Sequence, residues 1–227
     1  GSANMAIGHE ALRFNVSGVQ NIGIGYLSCV LVSGNNNTGI GALSLRELKY
    51  GNENTAIGVG SSQSIGKSTA AANTISGRSY VIETIGTTDF TLIGAASNTV
   101  GLQFTANSAG TGTGTVSPVT EDNVAIGTNA DQLRIQGDNC IVIGHGASAS
   151  SNTFTSNEIT LGNASVSRFR VPGLSIDWTS TTKPPTLTSV PATATSTGIA
   201  GQVAYDADYF YVCVATNTWK RSALTTW

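Results

Sequence analysis

Few residues of this chain have the types and spacing that catalysis needs. Two pairs of nearby acids could act as acid and base in glycoside hydrolysis, Glu121 with Asp122 and Asp206 with Asp208. Asp206 and Asp208 flank Ala207 in a segment that reads as a turn, where aspartate is favoured for local reasons. Because only 13 acids are scattered over 227 residues, we predict no enzyme activity and no catalytic residue.

Two further patterns look like ligand sites only at first sight. Residues Gly66-Lys67-Ser68 end like a phosphate-binding loop, but the glycine that this loop requires falls on Ser61. His9 and His145 each follow the same glycine of a repeat, which makes them solvent-facing turn residues rather than metal ligands. The three cysteines are too few and too scattered for a zinc site or a disulfide framework. We predict no cofactor and no metal.

Aromatic residues concentrate near the C-terminal end of the sequence. Tyrosine and tryptophan can stack on sugar rings and offer a polar tip, so an exposed cluster suits contact with a surface receptor. We interpret Tyr205, Tyr211 and Trp219 as the small core of a β-hairpin. The predicted receptor contacts are Tyr209, Lys220 and Trp178.

The element that must position these residues is a short motif that recurs along the chain. It reads Asn4-Met5-Ala6-Ile7-Gly8 in its first copy, and its final glycine returns after 17, 16, 17, 69, 17 and 18 residues. A second glycine, at Gly18, Gly34, Gly51 and Gly137, keeps the same period. Unrelated hairpins, the alternative, would not keep two such series in phase, so the pattern predicts a repeat architecture.

About 17 residues per coil suit two short strands and two turns, so we predict an all-β chain built as a repeat β-roll or β-helix. Each copy offers one isoleucine for burial and one small residue beside it. Stacked coils would align these side chains into a continuous apolar ladder. Its members, for the core or for trimer contact, are Ile7, Ile24, Ile40, Ile57, Ile126, Ile143 and Leu161.

Breaks in the period divide the chain into five segments. Residues 1–60 and 123–173 form the two blocks of the roll, and residues 61–122 are predicted to be a small inserted β subdomain. Degenerate repeats remain the alternative for the insert, because 69 residues are close to four periods. Residues 174–198 are rich in Ser, Thr and Pro and form a linker, and residues 199–227 form an aromatic β tip.

Composition excludes several classes of partner. The net charge is −2, only 11% of the residues are charged, and no basic cluster recommends a nucleic acid. No apolar run approaches the roughly 20 residues that span a bilayer, so membrane insertion is not expected.

The repeats resemble the head repeats of trimeric autotransporter adhesins and the repeats of bacteriophage tail fibres. Residues 86–94 with 110–114 resemble a module of phage structural proteins. The ending, with Val203–Asp206, Tyr211–Cys213 and Trp219–Arg221, is similar to the C-terminal tails of fibre proteins from phages of cyanobacteria. This resemblance implies a homotrimer whose chains bury each other's faces.

From this resemblance we expect the distal part of a non-enzymatic virion tail fibre, extracellular on the phage tail. It would attach to a glycan or an outer-membrane protein of the bacterial surface, and a preceding N-terminal part would join other tail proteins. A bacterial trimeric surface adhesin and a purely structural virion appendage without receptor contact are the alternatives.

Overall fold

The computed structural model describes residues 1–171, 176–179 and 186–226, with the backbone alone for residues 171, 176–179, 186 and 187. The chain separates into two compact units, residues 1–163 and 164–227. The described residues are almost entirely strands and turns, and their helical content is two short 3₁₀ helices, Ala71–Asn73 and Phe90–Ile93. The predicted all-β repeat roll with coils of about 17 residues is confirmed, whereas its trimeric state stays a prediction.

Each early copy of the motif forms a three-residue strand that pairs with the next copy in parallel and in register. The glycine that ends the strand turns the chain: Gly25 has φ +127°, and an added Cβ would lie 2.7 Å from the backbone of Gly41. The first four strands are β1 (Met5–Ile7), β2 (Ile22–Ile24), β3 (Thr38–Ile40) and β4 (Thr55–Ile57).

A small antiparallel sheet follows and has a core of its own. Its strands are β5 (Thr69–Ala70), β6 (Ser79–Thr84), β7 (Gln103–Thr105) and β8 (Thr115–Pro118), in the order β5-β8-β6-β7. Tyr80, Phe90 and Phe104 pack together in its interior, with ring centroids about 6 Å apart. Arg78 fastens this sheet to the roll through an ion pair with Asp138 and a hydrogen bond to Ser156.

The roll resumes with β9 (Val124–Ile126), β10 (Ile141–Ile143) and β11 (Ile159–Leu161). Strand β4 pairs directly with β9, and Thr55 stands opposite Val124. The antiparallel sheet therefore leaves the roll and returns to the neighbouring coil without disturbing the register, and the parallel sheet continues through seven strands.

The middle residue of β2, β3, β4, β9 and β10 is buried in the interior of the roll, where the turns add apolar side chains such as Leu45 and Ile65, and the isoleucine that ends each strand lies outside. Ala56 is 0% exposed, whereas its neighbour Ile57 is 37% exposed. Alternate residues of a strand face opposite sides, so the first and third residues point outward together. This corrects the prediction of buried isoleucines: in the single chain, the predicted ladder lies on the outer face of the sheet.

The middle residue is small because the opposite wall of the coil comes very close. A Cβ added to Gly39 would lie 2.4 Å from Cys29 Sγ and 2.8 Å from Ser28 Oγ. That opposite wall is not the expected second strand. It is a run of turns with alternating left-handed residues, such as Leu27 (φ +53°) and Cys29 (φ +50°), which bond to the coils on either side.

A ladder of buried asparagines closes one edge of the roll. Asn21, Asn37 and Asn54 are 0% exposed, and each successive Nδ2 donates to the Oδ1 of the preceding asparagine. The Nδ2 of Asn123 continues the ladder to Asn54 Oδ1 at 3.0 Å. The asparagine of the motif thus hydrogen-bonds one coil to the next, which explains why it returns with the period.

The ladder ends where Cys140 replaces asparagine. There the guanidinium of Arg134, 1% exposed, donates to Asn123 Oδ1 at 3.0 Å and to the Thr155 carbonyl at 3.2 Å. Its charge is paired with the equally buried Asp131 at 2.6 Å. Arginine thus supplies at this coil the donors that the cysteine lacks.

The second unit consists of two sheets, which are antiparallel except at one pair of strands. Strands β12 (Arg168–Val171) and β13 (Ile176–Thr179) form one, and β14 (Thr186–Leu187), β15 (Gln202–Tyr205), β16 (Tyr209–Ala215) and β17 (Thr218–Ala223) form the other in that order. The first pair of the larger sheet, β14 with β15, is parallel. Its core consists of Ala204, Tyr211, Cys213 and Trp219.

Candidate functional site

A cleft of about 300 Å³ opens on one face of the four-stranded sheet of the second unit. Cross-strand pairing of β16 with β17 sets Tyr211 opposite Arg221 and Cys213 opposite Trp219, so alternation brings these side chains to one face. A segment without regular structure forms the other wall. The cleft is lined by Pro191, Ala192, Thr193, Ala194, Tyr211, Trp219, Lys220 and Arg221.

Trp219 is the anchor that holds the wall against the sheet. Its indole Nε1 donates to the Ser196 carbonyl at 3.0 Å, and its backbone N–H donates to the Ala194 carbonyl at 2.8 Å. The indole also covers Gly198, where an added Cβ would lie 2.7 Å from the ring. The floor of the cleft is therefore rigid before any ligand arrives.

Asp206 serves the turn between β15 and β16. Its Oδ1 accepts the N–H groups of Asp208 and Tyr209, and its Oδ2 accepts the Tyr211 hydroxyl at 2.8 Å. These hydrogen bonds, led by the Asp208 N–H, lower the pKa of Asp206, and the bond to Asp206 raises the pKa of Tyr211. Asp206 is thus an ionised turn former, and a general acid at this position is not expected.

The predicted contact residues fall in different surroundings. Lys220 is exposed and lines the cleft. Tyr209 is half-buried against the core, and the guanidinium of Arg221 lies 4.0 Å from its ring centroid. The backbone of Trp178 lies in β13 opposite Phe169, and its side chain is outside the described part of the chain.

The aromatic residues interpreted as a core divide between the two faces of the sheet. Tyr211 and Trp219 are 7% and 6% exposed, but Tyr205 is 62% exposed because it pairs with Phe210 on the opposite face. Sequence reasoning did not single out Arg221. The available signal was the alternation along β17, which puts Arg221 on the same face as Trp219.

A second groove, of about 330 Å³, lies at one corner of the roll. The strand register sets Glu53 and Asp122 at equivalent positions of adjacent coils, so their backbones are one strand spacing of about 4.8 Å apart. Both are exposed and left-handed, with φ +62° and +57°. Asn52 donates to Glu121 at 2.8 Å beside them. The groove is lined by Asn35, Asn36, Asn52, Glu53, Glu121 and Asp122.

This corner brings together acids that the sequence separates. Glu53 and Asp122 meet because the inserted sheet returns the chain to the coil next to the one it left. Paired acids in a groove are the groups that glycoside hydrolysis employs. The sequence had offered Glu121 and Asp122 as a pair, but it gave no sign that Glu53 joins them.

The remaining candidates of the sequence lie on turns or in the core. His9 and His145 are exposed, and His9 stacks on Tyr26 at 5.6 Å. Lys67 follows a turn, not a helix. Within the ranges that the structure describes, no group of three or more His, Cys, Asp or Glu side chains could hold a metal ion, and no helix is long and apolar enough to cross a bilayer.

Comparison with known proteins finds short matches to phage enzymes. The chain is 64% identical over 39 residues to a depolymerase of Klebsiella phage K64-1 that is specific for capsule K30/K69. It is 55% identical over 38 residues to depolymerase 1 of Klebsiella phage K5-2, specific for the same capsules. Each match covers 17% of this chain and 5% of the relative. No protein-family model and no solved structure matches the chain.

These matches agree with the resemblance to phage proteins at the level of phage origin. They also overturn one prediction. The chain was expected to be non-enzymatic because its acids are scattered, yet both relatives are named depolymerases, and depolymerases are enzymes. Spacing along the sequence is a poor guide to paired acids in a solenoid, because its coils bring distant acids such as Glu53 and Asp122 together.

Proposed function

We propose that this chain is part of a bacteriophage tail protein that attaches to the capsule of its bacterial host and depolymerises it. The observation that carries the proposal is the 64% identity to a capsule-specific depolymerase. Because the chain spans about 5% of the length of the matched proteins, the activity is proposed for the whole protein to which the chain belongs. The relation to fibres of cyanobacterial phages and to adhesin heads stays a prediction from the repeats and the tail.

The experiment measures capsule binding and capsule cleavage separately. The full-length protein is incubated with purified capsular polysaccharide of types K30 and K69, and chain length is followed by size-exclusion chromatography and by reducing ends. Binding of the same polymers to the 227-residue chain is measured by biolayer interferometry. We expect shortened polymer with the full protein and binding with the chain. A protein that neither binds nor shortens any polymer of a capsule panel would overturn the proposal.

Glu53→Gln and Asp122→Asn in the full-length protein test whether the corner groove takes part in cleavage. Both substitutions remove a carboxylate and keep an exposed amide of nearly the same size. Glu47→Gln is the matched control, because Glu47 pairs with Arg46 away from the groove. Loss of cleavage in the first two variants alone would locate the reaction at this corner, and retained cleavage would locate it elsewhere in the protein.

We further propose that the chain assembles as a homotrimer through the outer face of the seven-stranded sheet. That face consists of the first and third residues of seven strands, and twelve of these fourteen residues are apolar while none is charged. Among them, Ile7 is 56% exposed and Ile57 and Ile126 are each 37% exposed. A continuous apolar face of this kind is typical of an interface. Burial against two further copies would remove it from water.

Light scattering tests the assembly. We expect a mass of about three times 23.2 kDa for the chain and a monomer for Ile57→Asp. Leu92→Asp is the control, because Leu92 is 74% exposed in the 3₁₀ helix Phe90–Ile93 and does not belong to the proposed interface. A native chain that remains a 23.2 kDa monomer at every concentration would refute this proposal.

A further inference from the structure

We propose that the cleft of the second unit binds an acidic sugar, such as a uronic acid unit of the bacterial surface polysaccharide. This inference rests on the proposed function, because it names the ligand class through which the tail protein would engage its host. The shape and the charge of the cleft each favour a sugar that carries a carboxylate.

The apolar part of the cleft suits a sugar ring. Its volume of about 300 Å³ lies at the small end of ligand pockets, room for about one or two sugar units. Tyr211 and Trp219 form the floor and Pro191 forms part of the wall. Because Tyr211 and Trp219 are 7% and 6% exposed, they present a small apolar patch to the C–H groups of a sugar. Because Trp219 is hydrogen-bonded to Ser196, little rearrangement opposes binding.

The charged part of the cleft suits a carboxylate. Arg221 is held over the ring of Tyr209 at 4.0 Å, so its guanidinium is oriented in advance. Arg221 forms no ion pair among the described residues, and Lys220, between Trp219 and Arg221 on β17, directs its side chain to the opposite face of the sheet. Arg221 couples electrostatically to Asp206, whose oxygens already accept three hydrogen bonds. A planar guanidinium recognises a carboxylate through two parallel hydrogen bonds.

The distribution of charge along the chain also favours an acidic ligand at the second unit. Residues 164–227 carry five Lys or Arg against three Asp or Glu, whereas residues 1–163 carry six against ten. The chain as a whole is acidic, with a net charge of −2. Long-range attraction therefore draws a polyanion to the second unit and away from the roll.

A matched pair of ligands tests the inference. Methyl β-D-glucuronide and methyl β-D-glucoside differ only in the carboxylate, and both are titrated into protein labelled with 5-fluorotryptophan. The ¹⁹F signal of Trp219 is assigned with Trp178→Phe and Trp227→Phe variants. We expect the glucuronide to shift this signal and to bind at least about ten-fold more tightly than the glucoside, with a preference that weakens as salt is added.

Variants separate recognition of charge from recognition of shape. Arg221→Gln should abolish the preference for the glucuronide, and Arg221→Lys should retain part of it, because lysine keeps the charge without the planar fork. Lys67→Gln is the control, since Lys67 is an equally exposed cation of the other unit. Equal affinity for both sugars, or an unmoved Trp219 signal, would overturn the inference.

The two proposals can fail independently. If the chain binds capsule as tightly with Arg221→Gln as without it, the cleft inference is wrong and the proposed function stands. If the glucuronide binds at Trp219 but the full-length protein neither binds nor shortens capsule, the proposed function is wrong and the cleft remains an acidic-sugar site.

Discussion

Replacing Asn37 with alanine tests whether the buried asparagine ladder holds the coils together. Asn37 is 0% exposed. Its Nδ2 donates to Asn21 Oδ1 at 3.1 Å and to the Gly51 carbonyl at 3.0 Å. Its Oδ1 accepts the backbone N–H of Asn54 at 3.1 Å and the Asn54 Nδ2 at 3.0 Å. One side chain thus makes four hydrogen bonds across three coils.

The expected loss in the free energy of unfolding follows from the groups that Asn37→Ala would leave without hydrogen-bond partners. The N–H of Asn54 and the carbonyl of Gly51 would each lose a buried hydrogen bond, at about 1–3 kcal/mol per stranded group. Asn54 Nδ2 and Asn21 Oδ1 keep other partners, because Asn54 Nδ2 also donates to Thr120 and Asn21 Oδ1 also accepts the Asn37 N–H. We therefore expect Asn37→Ala to lower the free energy of unfolding by about 3–5 kcal/mol.

Urea unfolding followed by circular dichroism at fixed protein concentration measures this loss. Asn73→Ala is the matched control: Asn73 is exposed, and its Nδ2 donates only to the Thr69 hydroxyl at 2.8 Å. Its loss should cost less than about 1 kcal/mol. If the two variants unfold at the same urea concentration, the ladder does not stabilise the roll, and the explanation given for the recurring asparagine is wrong.

Three further predictions concern the interior of the roll. Gly39→Ala should destabilise it by about 1–3 kcal/mol, since the new Cβ would lie 2.4 Å from Cys29 Sγ, and adding Cys29→Ala should restore part of the melting temperature. Arg134→Met should cost about 3–5 kcal/mol in urea unfolding by leaving the Asp131 carboxylate buried without its cation, and Asp131→Asn in the same chain should recover part of that loss. Burial raises the pKa of the Cys29 thiol from 9.0 to about 12, so Cys29 in the folded protein should resist Ellman's reagent at pH 8. The free energy of unfolding should be unaffected below pH 9 and should fall between pH 9 and 12, because the thiol of the unfolded chain ionises first. Rapid labelling of Cys29 in the folded state would contradict this.

The period of the sequence determined the architecture of the roll. Asn21 and Asn37 return in phase because each must bond to the coil before it, and Gly25 returns because its left-handed backbone touches the next coil. These requirements belong to the backbone and to nearest neighbours, so they leave a regular trace in the residues. For that reason the repeat, its length and the all-β class could be predicted without coordinates.

Only the tertiary structure decided which side of each strand faces inward. In Thr55-Ala56-Ile57 the pattern allows either the isoleucine or the alanine to be buried, and hydrophobicity alone favours the isoleucine. The decision is made by the close approach of the opposite wall, where Cys29 leaves no room for a side chain at Gly39. That distance depends on two chain segments at once, and the small residue that it requires, such as Gly39 or Ala56, does not by itself show which face of the strand is buried.

At the candidate sites, too, the sequence determines some features and the tertiary structure determines others. The alternation of Trp219 and Arg221 is written in the sequence, but the cleft exists because residues 191–194 fold against that strand and Ser196 fixes the indole. At the corner of the roll, Glu53 and Asp122 become neighbours only because a separate sheet is looped out between adjacent coils. The sequence determines what repeats, because repetition is local. The tertiary structure determines which distant residues come into contact, because such contacts depend on the path of the whole chain.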